Sequence, residues 1–581
     1  MKIQTPSALP EVIAAVAGLA ATYFLVGFAG LNFNEPVTLT GDHTFMLGVI
    51  KDAINGVGRF NEQMGAPGHK DAYFFPLFDG SYKGLSWLIS RFTSNLFVAA
   101  NWFYVACVTL MYGASFVCLR KLDVSRWLAA VASVCFVLTP YFSTRLAGHD
   151  YLSLYFSVPF GATLAVILAT SETNKELMRN AKSPFAIVSI LFIGTSGFYY
   201  AFFSCLFLSL VLIARAFVQR RLMPVIVCVA ICTVVVTLLL FSAYGYQIFG
   251  LLDGSIARPP SRTALQQFYH GLEIGGALQA YGEIGLFAKR FAEYRAFTTS
   301  PDGLSQLTGE GFFPEWPGAF LTTVILAAPV VVFLSTIPLR PRTTRSLAVS
   351  ICFACITFGL VFATRGGLGF IFNSIVTPAI RAQERILPFL MFFAIVAVCL
   401  ACGMLRTRMA RQTAMALVAL GLLSGTGVRF DGPAKKQAAY LTDPLQQAYR
   451  RSAVEMLASK DRVGLTQILQ LPVMVWPEAT PRQQMLGYEH SLPYLLDRPN
   501  SPTRWSYGLA DRQLQLATLT SLARDTPSIA AEAKAMKFDG ILVEKTGYTA
   551  EEATRLVAGL EASGACKVSD DAYRTLFQIC K

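Results

Sequence analysis

Long apolar runs separated by short basic clusters set the pattern of this chain. With a membrane span taken as roughly 20 residues, about eleven runs qualify, near 10–31, 95–117, 125–143, 151–170, 184–199, 200–218, 223–242, 318–338, 346–364, 387–404 and 413–428. Gly194, Ser196 and Gly197 interrupt the stretch 184–218, which reads either as two short spans or as one broken helix. Alternate connections carry Arg120, Lys121 and Arg126; Lys175, Arg179 and Lys182; Arg215, Arg220 and Arg221; Arg340, Arg342 and Arg345; and Arg406, Arg408 and Arg411. Short, basic connections are cytoplasmic. The chain then starts inside, and the longer connections 32–94, 244–317 and 365–386 lie on the opposite face together with everything after 429. The predicted architecture is an α-helical polytopic membrane domain over 1–429 and a small α/β extracytoplasmic domain over 430–581.

The polar segments carry patterns of their own. In the first outer loop, 44–57 has helical periodicity, Gly65-Ala66-Pro67-Gly68 turns the chain, and Tyr73-Phe74-Phe75 suits a membrane interface. A helix over 84–92, apolar at Leu85, Leu88 and Ile89, lies along that interface. The second loop opens on Arg258-Pro259-Pro260 and continues as an amphipathic helix through Leu265, Phe268, Tyr269 and Leu272. In the tail, strands are predicted over 466–475 and 538–543 and a helix over 509–523. A Thr549-to-Glu552 capping box opens a helix ending near Gly564, and a β-pair spans 565–579. About 150 residues of this kind can bury their own core.

Composition narrows the class. With 54% hydrophobic and 15% charged residues and a mean hydropathy of +0.48, the chain is no ordinary soluble enzyme. The net charge of +13 is dispersed between spans, so topology accounts for it and nucleic acid is not the partner. The first apolar run lacks a small-residue cleavage site and reads as a retained anchor. Ten of the twelve cysteines fall in apolar runs, where cysteine behaves as a small hydrophobe. The pairs Cys352/Cys355 and Cys399/Cys402 have no ligand cluster nearby to complete a zinc site. Cys566 and Cys580 lie in the tail, where an oxidising compartment allows a disulfide between them.

Three groups could carry chemistry. Asp42, between Gly41 and His43 at a predicted helix start, is either an N-cap or a general base at the membrane–water boundary. Arg145, His149 and Asp150 crowd a short outer turn and either solvate a span end or line a substrate site on the same face as Asp42. Arg381 and Arg385, four residues apart with Glu384 beside them, would share one helical face on the side where surplus arginine is unexpected. Planar guanidiniums suit phosphate, so this pair reads as a lipid-phosphate clamp, with Arg365 and Arg258 as additions. Trp476, Tyr488-Glu489-His490 and Arg504-Trp505-Ser506-Tyr507-Gly508 mix aromatic and polar groups and read foremost as core and rim of the tail domain. No catalytic-triad order, phosphate loop or dinucleotide fingerprint is present.

Several of these segments together carry a resemblance: Thr40-Gly41-Asp42, Met64-Gly65-Ala66-Pro67, Gly148-His149 leading to Tyr155 and Val158-Pro159, Ile380-Arg381-Ala382 with Arg385, Leu469-Gln470-Leu471-Pro472, and Arg504 to Gly508. They resemble a group of bacterial multi-spanning proteins that looks like the GT-C class of membrane glycosyltransferases. The resemblance implies transfer of a sugar from a polyprenyl-phosphate donor to a cell-envelope glycan or lipid acceptor, such as lipopolysaccharide, at the periplasmic face of the inner membrane. Asp42 would be the base, Arg381 and Arg385 would hold the donor phosphate, and His43, His149 and Asp150 would position substrate. Members of the class often place a second acid near the first, sometimes on a divalent metal. Asp150 can take that place, while His43 stands where another acid would follow Asp42, which leaves metal dependence open. A flippase for lipid-linked sugars is the main alternative, although paired internal repeats of the transporter kind are not evident. A non-catalytic envelope glycan-binding or assembly protein would share the same sequence features.

Overall fold

The computed structural model describes residues 8–71, 79–244, 270–281, 316–335, 343–424, 432–474, 476, 481–508 and 529–579. A helix occupies each apolar run: Ala8–Val26, Leu96–Lys121, Arg126–Val137 continued by Pro140–Arg145, Ser157–Thr170, Pro184–Thr195, Phe198–Gln219, Met223–Leu239, Ala319–Ser335, Thr344–Ala363, Leu387–Gly403 and Arg408–Ser424. Among the described residues seven helices are long and apolar enough to cross a membrane, and three more are apolar but shorter. The chain is a multi-pass membrane protein with a small C-terminal sheet domain. Leu387–Gly403 lies at the centre, with every residue from Leu387 to Val396 buried. A helix apolar on all sides belongs in such a position. Trp102, Phe217, Val229 and Phe333, by contrast, turn outward.

The stretch 184–218 forms two helices, broken at Ser196 and Gly197. Ser81 Oγ donates to the Thr195 carbonyl at 3.1 Å and Tyr200 hydroxyl to the Leu152 carbonyl at 2.5 Å, which puts the break at the end facing the first loop. Lys121 sits over the Phe185 ring at 5.7 Å, and Arg215 Nη1 donates to the Leu168 carbonyl at 2.9 Å, at the other end. The two helices are therefore antiparallel. Basic residues collect at that far end, where Arg120 pairs with Glu11 at 2.6 Å and Arg345 donates to the Gly403 carbonyl at 3.3 Å.

The first loop and the tail build one polar cap at the opposite end. Helices Asp42–Ile54 and Gly80–Ser90 form near their expected places; the aromatic stretch at Tyr73 and the second loop around Arg258 lie outside the described residues. The tail holds a five-stranded sheet in the order Arg504–Trp505, Gln467–Leu471, Gly540–Glu544, Arg574–Ile579, Ala565–Asp570. The first three strands are parallel and the last two pair antiparallel. The strand expected over 466–475 stops at Leu471, because Pro472 has no N–H for a ladder. The capping box is present, with Thr549 Oγ1 accepting from Glu552 N at 3.2 Å and Glu552 Oε2 from Thr549 N at 2.9 Å. The helix expected over 509–523 lies outside the described residues.

Met64-Gly65-Ala66 extends this sheet from the first loop. Gly65 N donates to the Tyr507 carbonyl at 2.9 Å, Ala66 N to Trp505 at 3.0 Å, and Trp505 N to Gln63 at 2.9 Å. Gly65 has φ +83°, and a Cβ there would lie 2.5 Å from the His69 carbonyl carbon, so this turn requires glycine. Two segments more than 400 residues apart in sequence thus share one sheet edge. Beneath it Asp52 accepts from Lys70 Nζ at 3.0 Å, Asn61 Nδ2 at 2.7 Å and Tyr494 hydroxyl at 2.7 Å, all buried. Polar groups satisfied in this way fix register between loop and tail.

Cys566 is disulfide-bonded and faces Gln578 across the final β-pair, while the ten cysteines from Cys107 to Cys402 are free thiols. Cys580 lies outside the described residues.

Candidate active site

The site forms where the first loop meets the turn between the helices Pro140–Arg145 and Ser157–Thr170. Gly41 is the N-cap residue of the helix Asp42–Ile54, at φ 56° and ψ −142°, a conformation open essentially to glycine alone. Its kink sends Asp42 and His43 to different partners. Asp42 does not cap: the cap makes no side-chain hydrogen bond, and Thr44 Oγ1 donates to the Gly41 carbonyl at 2.6 Å. Asp42 is the first helical residue, where the helix N-terminus favours a carboxylate.

Two histidine–aspartate pairs cross between the segments. His149 Nε2 lies 2.8 Å from Asp42 Oδ2, and His43 Nδ1 lies 2.9 Å from Asp150 Oδ2. In each pair the imidazole N–H donates, because a carboxylate only accepts. The outer pair is open, with Asp42 44% and His149 21% exposed, whereas His43 and Asp150 are 1% exposed. Asp150 is further fixed by the Ala147 N–H, which donates to Oδ1 at 2.8 Å, and by the Tyr104 hydroxyl at 3.5 Å. The tripeptides Gly41-Asp42-His43 and Gly148-His149-Asp150 each start on glycine and carry Asp and His in exchanged order. That signal stood in the sequence, and only the fold turns it into reciprocal pairing.

Four residues back along the non-helical turn, the Arg145 carbonyl accepts from the His149 backbone N–H at 2.9 Å. Arg145 Nη2 lies 3.7 Å and Arg385 Nε 3.8 Å from Glu384 Oε1, all three residues being buried. Arg385 also stacks over Tyr199 at 4.3 Å, and Arg145 over Tyr141 at 5.6 Å. Both guanidiniums thus face the same Glu384 carboxylate. Arg145, His149, Asp150, Asp42, His43, Glu384 and Arg385 are therefore brought together.

The remaining cations divide. Arg381 and Arg385 do not share a helical face: the 3-10 turn begins at Gln383, and Ala382 has ψ 80°. Arg381 sits in the non-helical lead-in and is half-buried, so the clamp expected from four-residue spacing does not form as drawn. Arg365 is engaged with Glu273 at 3.5 Å and its N–H with the Leu272 carbonyl. Arg258 lies outside the described residues.

Sequence reasoning missed two supports. Lys436 of the tail donates to the Ser143 carbonyl and, at 2.6 Å, to the Leu146 carbonyl, bracing the turn that presents His149. Tyr488 accepts at its carbonyl from Thr44 Oγ1 at 3.3 Å and packs its ring on Phe45 at 5.3 Å, bracing the helix that presents Asp42. Lys436 stands in no local motif, and Tyr488, in a motif read as core and rim of the tail domain, carries no local sign of a partner in the first loop.

Among the described residues no three His, Cys, Asp or Glu side chains converge as a metal site would require. Asp42 and Asp150 are each paired with a histidine instead.

No protein-family model matches the chain, and no curated protein matches it. Among solved structures it is similar to ArnT from Cupriavidus metallidurans bound to undecaprenyl phosphate, at 12% identity and TM-score 0.40 over 99% of each chain. It is also similar to the arabinofuranosyltransferase AftD from mycobacteria, at 14% identity and TM-score 0.44 over 100% of this chain. The chain spans 42% of that AftD chain.

Proposed function

We propose that this protein is an inverting membrane glycosyltransferase, moving a sugar from a polyprenyl-phosphate donor to a cell-envelope glycan or lipid acceptor at the periplasmic face of the bacterial inner membrane. The observation that carries the reading is the open Asp42–His149 pair at the polar end of the bundle, joined through the turn from Arg145 to His149 to the buried guanidiniums of Arg145 and Arg385 against Glu384. In the reaction the acceptor hydroxyl oxygen bonds to the anomeric carbon as the carbon–phosphate oxygen bond breaks. The bonding electrons leave with the phosphate, and the hydroxyl proton passes to Asp42. His149 orients the carboxylate. The charge of Arg145 and Arg385 against Glu384 stabilises the departing phosphate, with Arg381 nearer solvent. Membrane lipids surround the bundle, the amino terminus lies in the cytoplasm, and the tail domain lies in the periplasm.

The test is incubation of the purified chain with a panel of polyprenyl-phosphate sugars, reading released polyprenyl phosphate by mass spectrometry. Release from at least one donor, dependent on Asp42, supports the reading. No release from any donor overturns it.

A further inference from the structure

The tail domain carries a groove of about 680 Å³ that the proposed reaction leaves unused. Its volume falls among small-molecule sites, roughly 300–1,000 Å³. One wall is the helix Ala550–Ala562, which presents small side chains at Ala550, Ala553, Thr554 and Ala558. Tyr548 and Tyr573 face the same space, and Gln483 and Gln484 stand on its rim.

Charge at the groove is internally neutralised. Lys545 Nζ lies 2.7 Å from Asp570 Oδ1, and Lys567 Nζ lies 2.6 Å from Glu561 Oε1 and 3.2 Å from Asp570 Oδ2. Each ammonium is matched to a carboxylate and Arg482 lies over the Tyr548 ring at 4.9 Å, so the lining favours neither a phosphate nor a cation strongly. It does offer two phenol rings, two primary amides and a floor of small side chains. That combination suits a neutral sugar, whose C–H faces lie on aromatic rings while its hydroxyls meet amides and carboxylates.

Its position links it to the reaction. Gln484 N donates to the Thr546 carbonyl at 3.0 Å, holding the rim to the groove. Two residues on, Leu486 Cδ1 lies 4.0 Å from where a Cβ on Gly41 would sit. At roughly 3.5 Å per extended residue, the rim is on the order of 10 Å from the start of the helix that carries Asp42.

We infer that this groove binds a neutral oligosaccharide and that, granted the transferase reading above, the oligosaccharide is the acceptor chain whose end reaches Asp42. The acceptor is then a glycan rather than a bare lipid.

Detergent-solubilised full-length protein applied to an array of neutral envelope-type oligosaccharides tests this directly. Wild type should bind a subset, and Ala558→Trp, which fills the floor from an exposed position, should weaken that binding by about tenfold or more. Gln484→Ala should weaken it by a smaller factor, and both variants should keep the wild-type unfolding temperature. Absence of neutral glycan binding, binding of charged species alone, or equal binding by wild type and both variants overturns the inference. Glycan binding lost in Ala558→Trp, without release of polyprenyl phosphate from any donor, leaves the groove standing and removes the transferase reading. Donor release without glycan binding does the reverse.

Discussion

Asp42–His149 and His43–Asp150 are made of the same two residue types at nearly the same separation, yet they occupy opposite environments. The inner pair is 1% exposed on both sides and tied to a backbone N–H and to Tyr104. The outer pair stands at the mouth, with Asp42 44% exposed. A buried pair with satisfied partners holds geometry, while a carboxylate that water and substrate can reach is free to take a proton. The inner pair therefore locks the first loop to the 146–150 turn, and the outer pair works on what enters. Four predictions, from the largest effect to the smallest, would break or sharpen that division.

Asp150→Ala should cost about 3–5 kcal/mol, the usual consequence of removing one partner from a buried pair. Thermal unfolding in detergent should show a clear fall. An unchanged unfolding temperature would mean that the inner pair does not lock the fold. His149→Ala should slow transfer by roughly 10–100-fold, the range seen when the group orienting a working side chain is removed, with little change in unfolding. A variant equally damaged in both measurements would erase the distinction between the pairs.

Arg385→Lys keeps the charge but loses the planar fork and its stacking on Tyr199. It should raise the donor concentration needed for half-maximal rate severalfold without altering acceptor dependence. Arg381→Ala, off the helical face that Arg385 occupies, should move donor dependence less. The opposite ranking would return the phosphate contact to Arg381.

The smallest effect concerns a second interior acid. Burial holds the Glu489 carboxyl up at about 7, from 4.5, beside Tyr449 and the buried Glu544–Arg574 pair at 2.8 Å. Between those values the folded chain keeps a proton that the unfolded chain has released, so this group's contribution to stability is present at low pH and is lost as pH rises. Wild type should gain on Glu489→Gln as pH falls from about 7 to about 4.5. A difference in unfolding temperature that does not vary with pH would show that Glu489 titrates normally.

Much of the fold was legible because bilayer thickness imposes a length on apolar runs, and a helix occupies each one. The capping box and the final β-pair were legible because both signals are local. Asp42, His149 and Asp150 stood out as polar residues at span ends. Their crossed pairing did not, since it depends on the kink at Gly41 and on a contact across more than 100 residues. The same limit hid the joining of Met64-Gly65-Ala66 to Trp505 and the bracing by Lys436. Four-residue spacing misled at Arg381 and Arg385, because a shared face requires a helix and Ala382 interrupts it.

The division of labour is tested most directly by measuring Asp42→Asn and Asp150→Asn side by side for sugar transfer and thermal unfolding. Asp42 makes no capping contact, so Asn at that position should leave the unfolding temperature near wild type. It should lower transfer by on the order of 10²–10⁴-fold, because Asn cannot accept the hydroxyl proton. Asp150→Asn should instead lower the unfolding temperature. Near-normal transfer by a folded Asp42→Asn variant would contradict the account and remove Asp42 from the chemistry.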